Sequence, residues 1–279
     1  MPTKSKILRV LQIPLSVGLI GFMSLLLLHH NPVVRAADSD ITNGITVDST
    51  LDTADANIGD GACDDGDGNC TLRAAIEEAN SDPDVSSILF NISGSGVKTI
   101  QPTSSLPAIT TQVAINGYSQ PGSMANTSIA PRPFNGTLLI EIDGSQSSGA
   151  GLAVDFADNV VKGLALNSFH GVGIAPGADR VVIHGNYIGV DPTGQIAKPN
   201  LGNGINRSGT GSVSVDHVLI GGNSPEDRNI VSASQDSGIT PNTDNDYWVV
   251  KGNYIGMAAD GLTPLGNSQR YIGPGGMSI

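Results

Sequence analysis

Two carboxylates stand two residues apart at Asp244 and Asp246. Inverting glycoside hydrolysis needs such a pair, one proton donor and one base, about 6.5–9.5 Å apart. The local run Asn242-Thr243-Asp244 also has the composition of a turn, and in a chain this rich in Asn, Thr and Asp the turn outweighs catalysis. A second acidic stretch, Asp64-Asp65-Gly66-Asp67-Gly68-Asn69, alternates oxygen-bearing side chains with glycine. Asp64, Asp65, Asp67 and Asn69 are therefore candidate ligands for calcium, which takes six to eight oxygens. The spacing is not that of an EF-hand loop: counted from Asp65, the glycine position holds Cys70 and the bidentate acid position holds Ile76. A solvated acidic turn is the stronger reading. Arg180, Arg207 and Arg228, with Asp179, Asp191, Asp216 and Asp227 near them, are the residues from which proton abstraction beside a carboxylate would draw. Each arginine can instead pair with a neighbouring acid. No Gly-x-Ser-x-Gly elbow is present for serine hydrolysis.

The elements that must carry these residues follow from composition. Glycine is 36 of 279 residues, charged residues are 14% and aromatics 4%. Beyond residue 36, valine and isoleucine outnumber leucine about three to one, which favours strands and excludes a helical bundle. Residues 1–36 hold Lys4, Lys6, Arg9 and Arg35, an apolar run from Val10 to Leu28, and then Val34-Arg35-Ala36-Ala37. That is the plan of a secretory signal, with an uncleaved anchor as the alternative and the only expected membrane contact. The rest of the chain carries 10 bases and 26 acids, a net charge of −16. Such a surface repels phosphate backbones, so nucleic acid is excluded as a partner. In an exported chain the two cysteines, Cys63 and Cys70, are expected to form a disulfide. Two thiols without a nearby histidine cannot complete a zinc site.

An internal repeat sets the architecture. Val182-Ile183-His184-Gly185-Asn186-Tyr187-Ile188-Gly189 returns as Val249-Val250-Lys251-Gly252-Asn253-Tyr254-Ile255-Gly256, with six of eight positions identical. Gly194 and Gly261 follow at the same distance, and Leu201-Gly202-Asn203 is matched to Leu265-Gly266-Asn267. Weaker echoes lie at Val160–Leu164, Val218–Gly222 and Arg228–Ser232. Short Val/Ile strands separated by Gly and Asn predict a solenoid of parallel strands, with coils of roughly 20–25 residues. Gly185, Asn186, Gly252 and Asn253 are the expected turn positions, the asparagines bonding to backbone or laddering between coils. Polar residues alternating with the inward Val and Ile should face water, and His184, which exchanges with Lys251, should be solvent-facing. Residues 71–80 are the one expected helix, with Leu72, Ala75, Ile76 and Ala79 as its apolar stripe and Asn80 at its end.

Cys63-x6-Cys70-Thr71-Leu72-Arg73-Ala74-Ala75-Ile76 resembles the motif of the CSLREA surface proteins of bacteria, with Thr71 for Ser and Ala74 for Glu. Ile115–Gly122, Glu141–Ser145 and the Gly-Asn-Tyr-Ile-Gly repeats are similar to further segments of those proteins. The resemblance spans about residues 41–279. It implies a right-handed parallel β-helix of the pectate-lyase-like class, secreted or held at the cell surface, with no fixed reaction. Asn242-Thr243-Asp244 also matches a polygalacturonase triplet, but the later Asp-Asp, Gly-His-Gly and Arg-Ile-Lys elements are missing.

The expectation is thus an all-β solenoid with a short N-terminal capping helix. Residues 1–36 form the signal or anchor, 37–96 the cap with its disulfide, and 97–279 a β-helix open at its C-terminal end. Its role is structural or adhesive, toward glycans or other surface molecules, with end-to-end self-association through the last coil near 271–279. The alternative is a carbohydrate-active enzyme, a polysaccharide lyase or glycoside hydrolase.

Overall fold

The computed structural model describes residues 43–207, 214–241 and 247–268. The expectations for residues 1–36, for Asp244 and Asp246, and for 271–279 lie outside those residues.

Strand β1 (Gly44–Val47) leads through helix α1 (Leu72–Ser81) to β2 (Ser87–Phe90). Then come β3 (Lys98–Ile100), β4 (Ala114–Asn116), β5 (Ile140–Asp143) and β6 (Leu152–Val154). From there the chain cycles: β7 (Val160–Lys162), β8 (Leu164–Asn167) and β9 (Ile174–Pro176), then β10 (Val182–His184), β11 (Tyr187–Ile188) and β12 (Ile205–Asn206). The next passage is β13 (Leu219–Gly221), β14 (Ile230–Val231) and β15 (Ile239–Thr240), followed by β16 (Val249–Lys251) and β17 (Tyr254–Ile255).

Three parallel sheets result, ordered β1-β2-β4-β7-β10-β13-β16, β3-β5-β8-β11-β14-β17 and β6-β9-β12-β15. From β4 onward, successive strands in the chain enter the three sheets in turn. Their register is repetitive: Val161 pairs with Ile183, 22 positions on, and Leu166 with Ile188, again 22 positions on. Leu152 with Ile174 repeats that interval in the third sheet. Longer intervals elsewhere are loops inserted into a 22-residue period. Ile88, Ile115, Val161, Ile183 and Ile220 form one inward column, all 0–1% exposed, facing Ile142, Leu166, Ile188 and Val231 from the second sheet. Short Val/Ile strands suffice because each inward side chain stacks on its equivalents in the neighbouring passages.

The helix differs from expectation in place and in ending. It follows β1 rather than preceding every strand, because it is the crossover that lets β1 and β2 pair in parallel. Both strands fall within residues 37–96 and belong to the seven-stranded sheet. Thr71 is the N-cap, its Oγ1 accepting the Ala74 N–H at 3.0 Å. Asn80 lies inside the helix and does not end it; its amide donates to the Ala108 carbonyl and accepts from Thr110 N–H. Ala74 and Glu78 join the expected stripe as buried residues. Glu78 sits there because its carboxylate accepts the Gly59 and Gly61 N–H groups, fastening the acidic loop to the helix.

The polar-outward expectation fails on the second sheet. Ala165, Tyr187, Ile230 and Tyr254 point away from the main core, yet with Phe134, Leu138 and Val190 they form a second apolar cluster. Inserted loops cover that face: Phe134 N–H donates to the Ala259 carbonyl at 2.7 Å, and the Phe134 ring meets Tyr187 edge-on at 5.0 Å. Among the described residues, no helix is long and apolar enough to cross a membrane.

Candidate functional site

The turn from first sheet to second is where the repeated Gly-Asn pairs lie. Gly163, Gly185 and Gly252 have φ of 74°, 67° and 73° there. At Gly185 an added Cβ would meet the Tyr118 Oη at 2.6 Å, since Tyr118 lies across the turn and donates to the Gly185 carbonyl. The asparagine that follows is a joint between passages. Asn186 Nδ2 donates to the Val161 carbonyl at 2.8 Å, and its Oδ1 accepts the Leu164 N–H at 3.1 Å. Asn229 Oδ1 accepts the Asn186 N–H, and Asn253 Oδ1 accepts the Asn229 N–H. Asn186 and Asn229 are fully buried. The expected ladder therefore runs through a third member, Asn229, signalled in the sequence by its place before the Ile230-Val231 strand.

A second set of asparagines closes the turn from second sheet to third. Asn200 Oδ1 accepts Phe169 N–H and Asn267 Oδ1 accepts Ser234 N–H. Their amides donate to Leu166 and Val231 carbonyls. This corrects the match of Leu201-Gly202-Asn203 to Leu265-Gly266-Asn267. The backbone equivalence runs at an offset of 67, pairing Asn200 with Asn267, as the bridges Val190–Ala197 and Met257–Pro264 do. Sequence identity in three residues was outweighed by the hairpin preceding them, whose length is the same in both copies.

His184 is a further correction. Its side chain is 12% exposed and Nδ1 lies 3.5 Å from Asp227 Oδ1, because the turn Pro225–Asp227 folds over it. Arg228 is likewise no surface ion pair: it donates to the Ser128 and Gly252 carbonyls and lies 4.5 Å above the Tyr254 ring.

The acidic loop is organised by its own carboxylates. Asp64 Oδ1 accepts Gly66 and Gly68 N–H, and Asp65 Oδ1 accepts Asp67 and Asn69 N–H. Desolvation works against the Asp65 charge, but these bonds outweigh it and hold its pKa below the usual aspartate value. The Asp64, Asp65, Asp67 and Asn69 segment thus has the geometry of linked side-chain turns. Among the described residues, no three His, Cys, Asp or Glu side chains converge as a metal-holding group. Cys63 and Cys70 are joined by a disulfide directly ahead of the helix N-cap.

A charged cluster around Glu141 was not visible in the sequence. Glu141, on the outer face of β5, is 6% exposed at its side chain. Its Oε2 accepts Thr99 Oγ1 at 2.7 Å, and Oε1 accepts Asn167 Nδ2 at 3.0 Å and Lys198 Nζ at 2.8 Å. Lys198 also lies 3.7 Å from Asp143 Oδ2. Burial opposes the lysine charge, yet the Glu141 bond and charge, with Asp143, raise its pKa above the ordinary lysine value. A lysine so held stays protonated at neutral pH and cannot remove a proton. It ties the loop after β11 to the sheet.

No family model matches the sequence, and no curated protein shows significant similarity to it.

Proposed function

We propose that the chain is a right-handed parallel β-helix, secreted or held at the cell surface, with a structural and adhesive role toward glycans. The CSLREA-like run from Cys63 to Ile76 and the leader-like residues 1–36 support the location. The cyclic passage of strands through three parallel sheets supports the architecture, and right-handed connection is the general rule for parallel crossovers. The observation that carries the role is the asparagine ladder: buried polar groups at the turns are committed to joining one passage to the next. That investment suits a rigid surface element. End-to-end self-association belongs to the same proposal.

One observation favours the second reading, a polysaccharide lyase or glycoside hydrolase: Glu141 and Asp143 are bridged by Lys198 on one sheet face. Incubation with a panel of neutral and acidic polysaccharides, assayed for new reducing ends and unsaturated products, separates the two. The structural reading expects retention on insoluble polysaccharide without product. Product release that disappears in Glu141→Gln and in Asp143→Asn would establish the enzyme instead.

A further inference from the structure

The turn from third sheet to first carries four residues at one register position. Asp158, Arg180, His217 and Tyr247 each stand two residues ahead of the mutually paired Val160, Val182, Leu219 and Val249. Their φ values are 63°, 58°, 60° and 66°, all left-handed. Glycine takes this conformation without the steric cost that a side chain brings, and the chain uses glycine at the turn occupied by Gly163 and Gly185. Here it keeps an arginine and a tyrosine, for which positive φ is uncommon. Strain of this kind gathers at functional sites.

The core does not require these four side chains. That task falls to the residues after them, of which Asn159, Val181 and Val218 are buried and Trp248 half-buried. The four form two pairs on the outside instead. Arg180 Nε and Nη2 donate to the two carboxylate oxygens of Asp158 at 2.6 and 2.7 Å. The His217 and Tyr247 rings stack, with centroids 5.1 Å apart and planes 18° from parallel. Tyr247 is 72% exposed.

We propose that this ridge is a glycan-binding face that takes a neutral hexose polymer laid along the stacking direction of the coils. The inference rests on the adhesive reading and gives it a site and a ligand class. Parallel strands repeat every ~4.8 Å, close to the rise of one sugar in an extended hexose chain, so successive coils meet successive rings. The His217 and Tyr247 rings cover each other's facing sides, so toward a polymer along the ridge the pair presents ring edges, with the Tyr247 hydroxyl and the His217 ring nitrogens as hydrogen-bonding groups for sugar hydroxyls. Arg180 keeps donors beyond the two spent on Asp158, and Asp158 keeps lone pairs. Together they match vicinal hydroxyls, which donate and accept. The net charge of −16 beyond residue 36, with Asp179 and Asp216 beside the ridge, selects against acidic polymers.

Trp248, the only tryptophan, adjoins Tyr247 and reports occupancy. The full chain is titrated with soluble cello-, laminari- and manno-oligosaccharides and with polygalacturonate, by Trp248 fluorescence and calorimetry. Saturable binding of at least one neutral series is expected, with none of polygalacturonate. Tyr247→Gly and His217→Gly relieve the backbone, so the melting temperature should hold or rise while binding weakens at least tenfold. Unchanged affinity in both variants overturns the ridge and leaves the adhesive reading standing. Failure of the native chain to bind any neutral series or polygalacturonate overturns both. Preference for polygalacturonate overturns the ligand class, and a fall in melting temperature in both variants overturns the argument that the strained residues are kept for a ligand.

Discussion

Lys198 Nζ lies 2.8 Å from Glu141 Oε1, joining residues 57 positions apart. The lysine is about a third exposed and the glutamate nearly buried, so the two ends of the pair differ in what their removal leaves behind. Lys198→Met strands a buried carboxylate with only Thr99 and Asn167 as donors. Loss of a partner from a fully buried pair costs about 3–5 kcal/mol, and water at the lysine end lowers the expectation to roughly 1–2 kcal/mol. Glu141→Gln in the same background should recover part of it in urea unfolding. The raised lysine pKa gives the sign with pH: the contribution is complete below the ordinary lysine value and lost as pH rises through the higher folded value.

Asn229 should be the most sensitive joint of the ladder. Asn229→Ala leaves the Asn186 N–H and the Ile183 carbonyl without their side-chain partner inside the core. Each buried unsatisfied group costs about 1–3 kcal/mol, so a loss of roughly 2–4 kcal/mol is expected by denaturant unfolding. The exposed Asn57→Ala, used as control, should change stability by less than about 0.5 kcal/mol. A similar effect at both positions would mean that the ladder contributes nothing specific.

The Cys63–Cys70 bond closes a short loop whose last residue abuts the Thr71 N-cap. Loop-closure entropy for a span this short amounts to about 2 kcal/mol. The double substitution of both cysteines to serine should lower stability by that amount. Amide exchange should quicken first at Ala74, which depends on the Thr71 side chain. Global exchange with no early change at Ala74 would place the effect elsewhere.

Much of this architecture can be read from the chain because inward columns demand local chemistry: Val and Ile at the strand centres, Gly where Tyr118 crosses, Asn where a turn needs a donor and an acceptor together. Such requirements leave a mark at each repeat. Tyr187 and Tyr254 carry the same mark, yet whether an outward residue meets water depends on inserted loops that have no period, here the one bearing Phe134. The Glu141 cluster was hidden for a similar reason. Thr99, Glu141 and Lys198 come from three distant segments, and none stands in the Gly-Asn-Tyr-Ile-Gly repeat. The column of Asp158, Arg180, His217 and Tyr247 shares a backbone conformation without sharing a residue type, so only register reveals it.

Within that column the Asp158–Arg180 pair gives a prediction that tests the geometry in solution. The Arg180 hydrogen bond, opposed by slight desolvation and aided by the guanidinium charge, holds the Asp158 pKa below the usual aspartate value. A depressed folded pKa contributes stability above the unfolded value of about 3.9, and that contribution is lost as pH falls through the folded value. The Arg180 and Asp158 side chains are well exposed, 51% and 40% respectively, so solvent screening limits the gain to about 0.5 kcal/mol or less. The measurement is therefore a titration rather than a melt. The carboxyl resonance of Asp158 should titrate below pH 3.9 in the native chain and return to the ordinary aspartate range in Arg180→Gly. Raising salt to 1 M, where the screening length is about 3 Å, should move the native midpoint part of the way back. An Asp158 that titrates at the ordinary value in low salt would show that the pair does not persist in solution, and with it that the arginine end of the ridge is not fixed in place.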